Sequence, residues 1–338
     1  MKTHRCVATA LVIATFAFHG NAEDRLDQVI ANVMENEGLY ANIDVTMRQV
    51  RQSARHRPSA SNLAVREVMF RDQSVHWVHQ GERFRLEMKG DSYSGYGAKN
   101  RDRIRAFDGK TTRLFDQGAV GNIIRGPSWD SNAIRPHMLL MRYSSHGFPL
   151  STLLKGDEAI ANHPAGQPQR EGLQRRIEYT REDTFKDLHC HVVTVSTYNL
   201  RSKSVSSRRE YWLAETRNYL PIRLLSYSSR GSNDVAGGEG VVDRLRELHP
   251  GIWFPEKAHF TSYDKLSLKS TGRQKRSWED SYEIKAVSLN PMYDAEFFSR
   301  VEFPVGAAVY ELEGGEIKRS YRVRPKSVAE TTTEEVAD

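Results

Sequence analysis

The chain has 338 residues, 38% of them hydrophobic and 27% charged, with a formal net charge of +6. Its 14 Tyr, 13 Phe and 5 Trp exclude an acidic disordered chain, which lacks the apolar rings to build a core. No internal run approaches the roughly 18 uninterrupted apolar residues of a membrane-spanning helix, so a multispan helical protein is excluded too. The N-terminus reads as a secretory signal over residues 1–22. Lys2 and Arg5 supply a positive start, and Val7 to Phe18 is apolar apart from two threonines. Gly20-Asn21-Ala22 then offers small residues for cleavage. The alternative is an uncleaved anchor, but the run is short and Glu23-Asp24-Arg25 follows at once. No cysteine stands at a lipidation position. Cys6 would leave with the signal, making Cys190 a lone free thiol, so the exported chain must be held by its core.

Asp24 to Glu37 reads as a helix, with Leu26, Val29, Ile30 and Val33 at helical spacing and Gly38 as its stop. The pattern then changes to period two. Leu39, Ala41, Ile43, Val45 and Met47 alternate with polar neighbours, as a strand with one wet face requires. The same alternation returns in Phe84-Arg85-Leu86-Glu87-Met88, where Arg85 and Glu87 are expected to face water. It returns in His191, Val193, Val195 and Thr197, in Leu220, Ile222 and Leu224, and in Trp278, Asp280, Tyr282, Ile284 and Ala286. Gln80-Gly81, Asp108-Gly109 and Gly314-Gly315 are hairpin signals. Strands in sequence order joined by short turns describe an antiparallel meander. Two stretches interrupt it. Residues 134–161 form an apolar, helical insertion containing Leu139, Leu140 and Leu153, and 163–172 is a loop. Residues 228–240 form a turn inside the sheet, and 326–338 form a disordered acidic tail. No internal repeat of fixed period is present.

The order of these pieces resembles the periplasmic lipoprotein-carrier superfamily, the LolA/LolB-like fold, as a larger divergent member. The resembling pieces are the exported helix, the strand from Leu39 to Arg51, Glu82-Arg83-Phe84-Arg85-Leu86-Glu87, and the turn from Phe107 to Phe115. They continue in the hairpin from Tyr211 through Leu220-Pro221-Ile222-Arg223 and in Gly251-Ile252-Trp253-Phe254-Pro255. The resemblance implies a mostly β protein with some α. Its strongly curved antiparallel sheet, an unclosed half barrel covered by helices, would form a single domain over 23–325. It also implies an apolar concave face that accepts lipid or the acyl chain of a lipoprotein without catalysis. The candidate lining of that face is Ile43, Val45, Met47, Trp77, Phe84, Leu86 and Met88, with Leu139, Leu140 and Leu153 from the cover. All of these equally suit an ordinary core.

The chemistry-bearing residues point to no reaction. His189 and His191 share a strand face, but a metal site needs further ligands from elsewhere, and two ordinary histidines are the simpler reading; no metal is assigned. Cys190 lacks the surroundings of a nucleophile. No Gly-x-Ser-x-Gly elbow occurs. Glu279-Asp280 and Glu182-Asp183 point to opposite strand faces, and Gly95-x-Gly97 precedes no apolar helix, so no cofactor is implied. The basic clusters at 101–105, 201–209 and 269–276 suit peripheral contact with an anionic membrane surface, but alternating arginines also serve simply to keep sheet faces soluble. An exported chain has no nucleic-acid partner to meet. Two rivals to the lipid carrier stay open: an envelope sensor of the same fold that binds a protein partner, and a secreted hydrolase with convergent carboxylates or histidines in a cleft.

Overall fold

The computed structural model describes residues 22–56, 66–94, 97–100, 102–116, 120–126, 149–163 and 171–325. The expected signal, apart from Ala22, and the expected tail fall outside them. The first element is helix α1 (Ala22–Leu39), which buries the stripe Val29, Ile30 and Val33. Its turns run through Gly38, one residue past the expected stop.

Strands β1 (Asn42–His56), β2 (Arg66–Gln80), β3 (Arg83–Ser94), β4 (Gly97–Asn100), β5 (Arg103–Phe107), β6 (Thr111–Asp116) and β7 (Val120–Arg125) form one antiparallel wing. Strands β8 (Leu173–Phe185), β9 (Leu188–Asn199), β10 (Ser204–Ala214), β11 (Leu220–Ser228), β12 (Gly238–His249), β13 (Ile252–Tyr263) and β14 (Arg276–Leu289) form the other. The wings join where β1 pairs with β14, from Ile43 opposite Leu289 to Ser53 opposite Trp278. A last hairpin, β15 (Ala308–Glu313) and β16 (Glu316–Arg322), is added beside β7, with β15 parallel to it. The result is one open, curved sheet ordered β16-β15-β7-β6-β5-β3-β2-β1-β14-β13-β12-β11-β10-β9-β8, with β4 paired to β3. The expected hairpin turns at Gly81, Gly109 and Gly314-Gly315 all occur, with the positive φ that such turns demand of glycine.

This order assigns a task to the expected insertion. β7 lies in one wing and β8 at the far edge of the other, so the link between them must traverse the molecule. Its described part holds two single-turn helices, α2 (Leu150–Leu154) and α3 (Asp157–Ala161). α2 docks on α1 through a carboxylate. Buried Glu37 accepts from the backbone N–H of Leu150 at 2.6 Å and from the Ser151 hydroxyl at 2.5 Å, filling donors that a helix start leaves open. Helices α4 (Lys265–Thr271) and α5 (Ala295–Ser299) begin on Asp264 and Asp294, each accepting from a first-turn N–H.

One expected wet face is dry. Val192 and Val193 of β9 are both buried, as are Cys190 and Val195. The far face of β9 and β10 is covered by Arg181 and Arg223 stacked on Trp212, with Arg223 also over Phe185. Guanidinium groups on aromatic rings bury the strand without an apolar sequence pattern to announce it.

Candidate functional site

Strand register assembles one continuous face. Directly opposed residues share a side, so Val287, Val45, Trp77 and Leu86 form one row. Ile284, Met47, Val75 and Met88 form the next, and Leu289, Ile43, His79, Phe84 and Phe107 the third. The face continues through Tyr282, Ala258 and Phe260 into Leu224, Tyr211 and Val193 of the other wing. α1 lies on this side. Arg25 reaches the ring of Tyr179 on β8, and Leu39 packs on the cluster around Trp77.

Ile43, Val45, Met47, Trp77, Phe84 and Leu86 are all buried, and Met88 is half-buried. All but Phe84 and Met88 belong to one cluster that also takes in Tyr40, Val75, Leu220, Phe254, Tyr282 and Ile284. Phe84 lies beside Phe107, ring centroids 6.1 Å apart. Leu153 is buried in the separate cluster around α1 and β9 to β11. Leu139 and Leu140 lie outside the described residues. At the centre of the face the Trp77 indole nitrogen is buried and has no hydrogen-bond partner among the described residues.

Beyond Met47 the same face turns polar, and this band was not singled out from the sequence. Gln49 and Gln73 oppose each other and are buried. The next row holds Asp280, wholly buried, gripped by Arg51 through two 2.6 Å bonds. Arg51 also stacks on Trp278. A bidentate pair is the geometry that offsets the desolvation of a buried carboxylate. The signal existed: Asp280 occupies a core position in the alternation from Trp278 to Ile284. Next to Trp278, a cleft of about 330 Å³ opens between Ser226, Gly238, Ser262, Tyr263 and Lys265, floored by the stacked rings of Phe260 and Trp278. Gly238 is required there, because a Cβ would meet Phe260 Cζ at 2.8 Å.

The opposite face corrects one expectation. Arg85 and Glu87 do not face open water. Residues 290–303 fold over them, and Arg85 donates to the carbonyls of Phe297 and Arg300 at 2.8 and 2.5 Å while binding Glu87 at 2.7 Å. Tyr293 holds the same segment down by donating to Asp44, which also contacts His76 Nε2 at 2.9 Å. Burial, with help from Asp44, pushes the Tyr293 phenol up to about 12. A charged cleft of about 580 Å³ lies between this segment and β3. Burial acts to raise the Glu87 carboxyl, but Arg85 and Lys89 together outweigh it and hold the group below its usual range. A carboxylate so pinned stays ionised and is a poor general acid.

No family model matches the chain, and no curated protein matches it. The chain is similar in structure to a DUF1329 family protein from Desulfovibrio piger, with 9% identity, 81% of this chain and 96% of that one covered, and a TM-score of 0.43. It is similar to a LolA superfamily protein from Nitrosomonas europaea, with 10% identity, 80% and 96% covered, and a TM-score of 0.40. A putative outer membrane lipoprotein-sorting protein domain from Vibrio parahaemolyticus is similar over 81% of this chain and 97% of its own, at 10% identity and a TM-score of 0.36.

Proposed function

We propose that the chain is an exported, non-catalytic envelope protein that binds a lipid, or the acyl chain of a lipoprotein, along the helix-bearing face of its sheet. The reading rests on one observation: a continuous apolar face surrounds a buried indole N–H of Trp77 that lacks an acceptor among the described residues. An alkyl chain laid against the half-buried Met88, at the edge of the cluster that holds Met47 and Leu86, is itself removed from water, at about 0.8 kcal/mol per buried methylene. An ester or carboxyl oxygen gives the indole the acceptor it lacks. The cleft beside Trp278, with serines and Lys265 on its rim, suits the polar end of the same ligand. Among the described residues no helix is long and apolar enough to cross a membrane.

Native mass spectrometry of the protein from its own envelope is expected to show a co-purifying lipid mass, and the delipidated chain should take up one fluorescent fatty acid. Trp77→Phe keeps an aromatic side chain and loses the donor, so the fold should persist while affinity falls about 3- to 10-fold. A clean apoprotein mass under gentle extraction, together with no uptake by the wild type, would sink the carrier reading.

A further inference from the structure

The alternation of β9 sends His189 and His191 to one side, and the 3-10 turn after β10 (Glu215–Arg217) brings a carboxylate against them. Glu215 Oε2 lies 2.9 Å from His189 Nδ1 and 4.0 Å from His191 Nε2. The three residues each offer a ligand atom within 4.8 Å of the others, the group of this kind found among the described residues.

Both rings are oriented from outside the cluster. The Tyr179 hydroxyl donates to Glu182 Oε1 at 3.3 Å and can therefore accept from His191 Nδ1, 3.0 Å away. That assigns the proton of His191 to Nδ1 and leaves a lone pair on Nε2, an atom that is buried and has no hydrogen-bond partner among the described residues. His189 Nδ1 donates to Glu215 Oε2 at 2.9 Å, so an ion between these two atoms takes the place of that proton, and the ring's other nitrogen, Nε2, faces Glu182 Oε2 at 3.5 Å. The His191 ring is held flat against Tyr219, centroids 5.4 Å apart and planes 7° from parallel. Tyr219 and Asn218 reach that position through consecutive positive φ angles of 53° and 56°.

We propose that His189 Nδ1, His191 Nε2 and the Glu215 carboxylate bind a divalent metal ion of the zinc class, with a fourth position open to solvent. Two imidazoles and a carboxylate form a zinc-type donor set, whereas magnesium and calcium take oxygen ligands. Bonds of about 2.0–2.1 Å in a tetrahedron separate ligand atoms by about 3.3–3.4 Å. The two distances to Glu215 Oε2 bracket that value and all three ligand atoms lie within 4.8 Å of one another, so side-chain rotation draws them onto one ion. Tyr179 and Glu182 serve as the outer hydrogen-bond partners that metal-bound histidines require. Arg25 lies close by, paired to Glu182 at 2.8 Å, and the two carboxylates against one guanidinium keep the locality negative. His189 and Glu215 are close to half exposed, which gives an ion a route in.

The test uses the full mature chain without a polyhistidine tag, stripped with EDTA and titrated with zinc chloride by calorimetry at neutral pH. One zinc per chain is expected, with a rise in melting temperature that magnesium does not reproduce, and cobalt(II) should give tetrahedral d–d absorption. His189→Ala and Glu215→Gln alter exposed side chains, so their metal-free melting should match the wild type while zinc affinity falls at least tenfold. Tyr179→Phe, which touches no ion, should weaken zinc about tenfold by freeing the His191 ring. Absence of zinc uptake by the wild type overturns the proposal, and so does unchanged affinity in the His189→Ala, Glu215→Gln double variant.

Discussion

Cys190 shows how position on the sheet decides a residue's chemistry. Its thiol is free, fully buried between the hairpins of β8–β9 and β9–β10, and its Sγ donates to the Leu188 carbonyl at 3.3 Å. Burial pushes it from 9.0 up to about 11, against the opposing effect of the Phe185 backbone. The thiolate is the reactive form, so this cysteine is inert while the protein is folded. The unfolded chain loses this proton first, so the contribution to stability is whole below pH 9.0 and is lost as pH rises through about 11. In Ellman's assay at pH 8 the native protein is expected to react orders of magnitude more slowly than the urea-unfolded chain. Stoichiometric labelling of folded protein within seconds would show the site open.

At the scale of elements, docking of the C-terminal hairpin on β7 depends on a missing side chain. Phe303 packs edge-on to Phe115 and lies directly over Gly121, where a Cβ would meet its ring at 2.4 Å. Gly121→Ala must displace that ring, and overpacking of this kind costs about 1–3 kcal/mol. In a Phe303→Ala background the same change should be nearly silent by urea unfolding. Additive effects in that double-mutant cycle would mean that ring and glycine do not meet. The glycine is legible in the sequence only as a β-strand weakness. Its use appears when the segment after α5 is folded back on the sheet.

Across the whole molecule, the sheet is covered on both sides at Leu86 and Arg85 of β3, and the two neighbouring substitutions Leu86→Asp and Arg85→Asp test this. Leu86→Asp places a carboxylate among Trp77, Val45 and Ile284, and the expected loss is several kcal/mol. A sheet with one wet face would leave Arg85→Asp neutral. Instead Arg85 clamps residues 297–300 and neutralises Glu87, so its loss is expected to cost about 2–3 kcal/mol by urea unfolding. Arg85→Asp unfolding within about 0.5 kcal/mol of the wild type would show that the clamp is absent.

Strand periodicity, turn glycines and the α1 stripe were enough to give an antiparallel meander, its hairpins and most of one apolar face, because each depends on neighbours within a few residues. Ile43, Val45 and Met47 share a side because period two forces it, as do Phe84, Leu86 and Met88, and the two-residue turn at Gly81 keeps Trp77 in register with the second set; the pairing of β1 with β2 is made across the nine residues that separate them. What lies over each side depends on contacts far apart in the chain. The cover of Arg85 by residues 290–303 and the Arg51–Asp280 pair 229 residues apart arise this way, whereas Arg223 meets Trp212 across the β10–β11 hairpin and Glu215 meets His189 from the turn that ends β10. Charged side chains read as wet in a local pattern. Only the tertiary structure supplies the ring, carbonyl or opposite charge that lets them be buried.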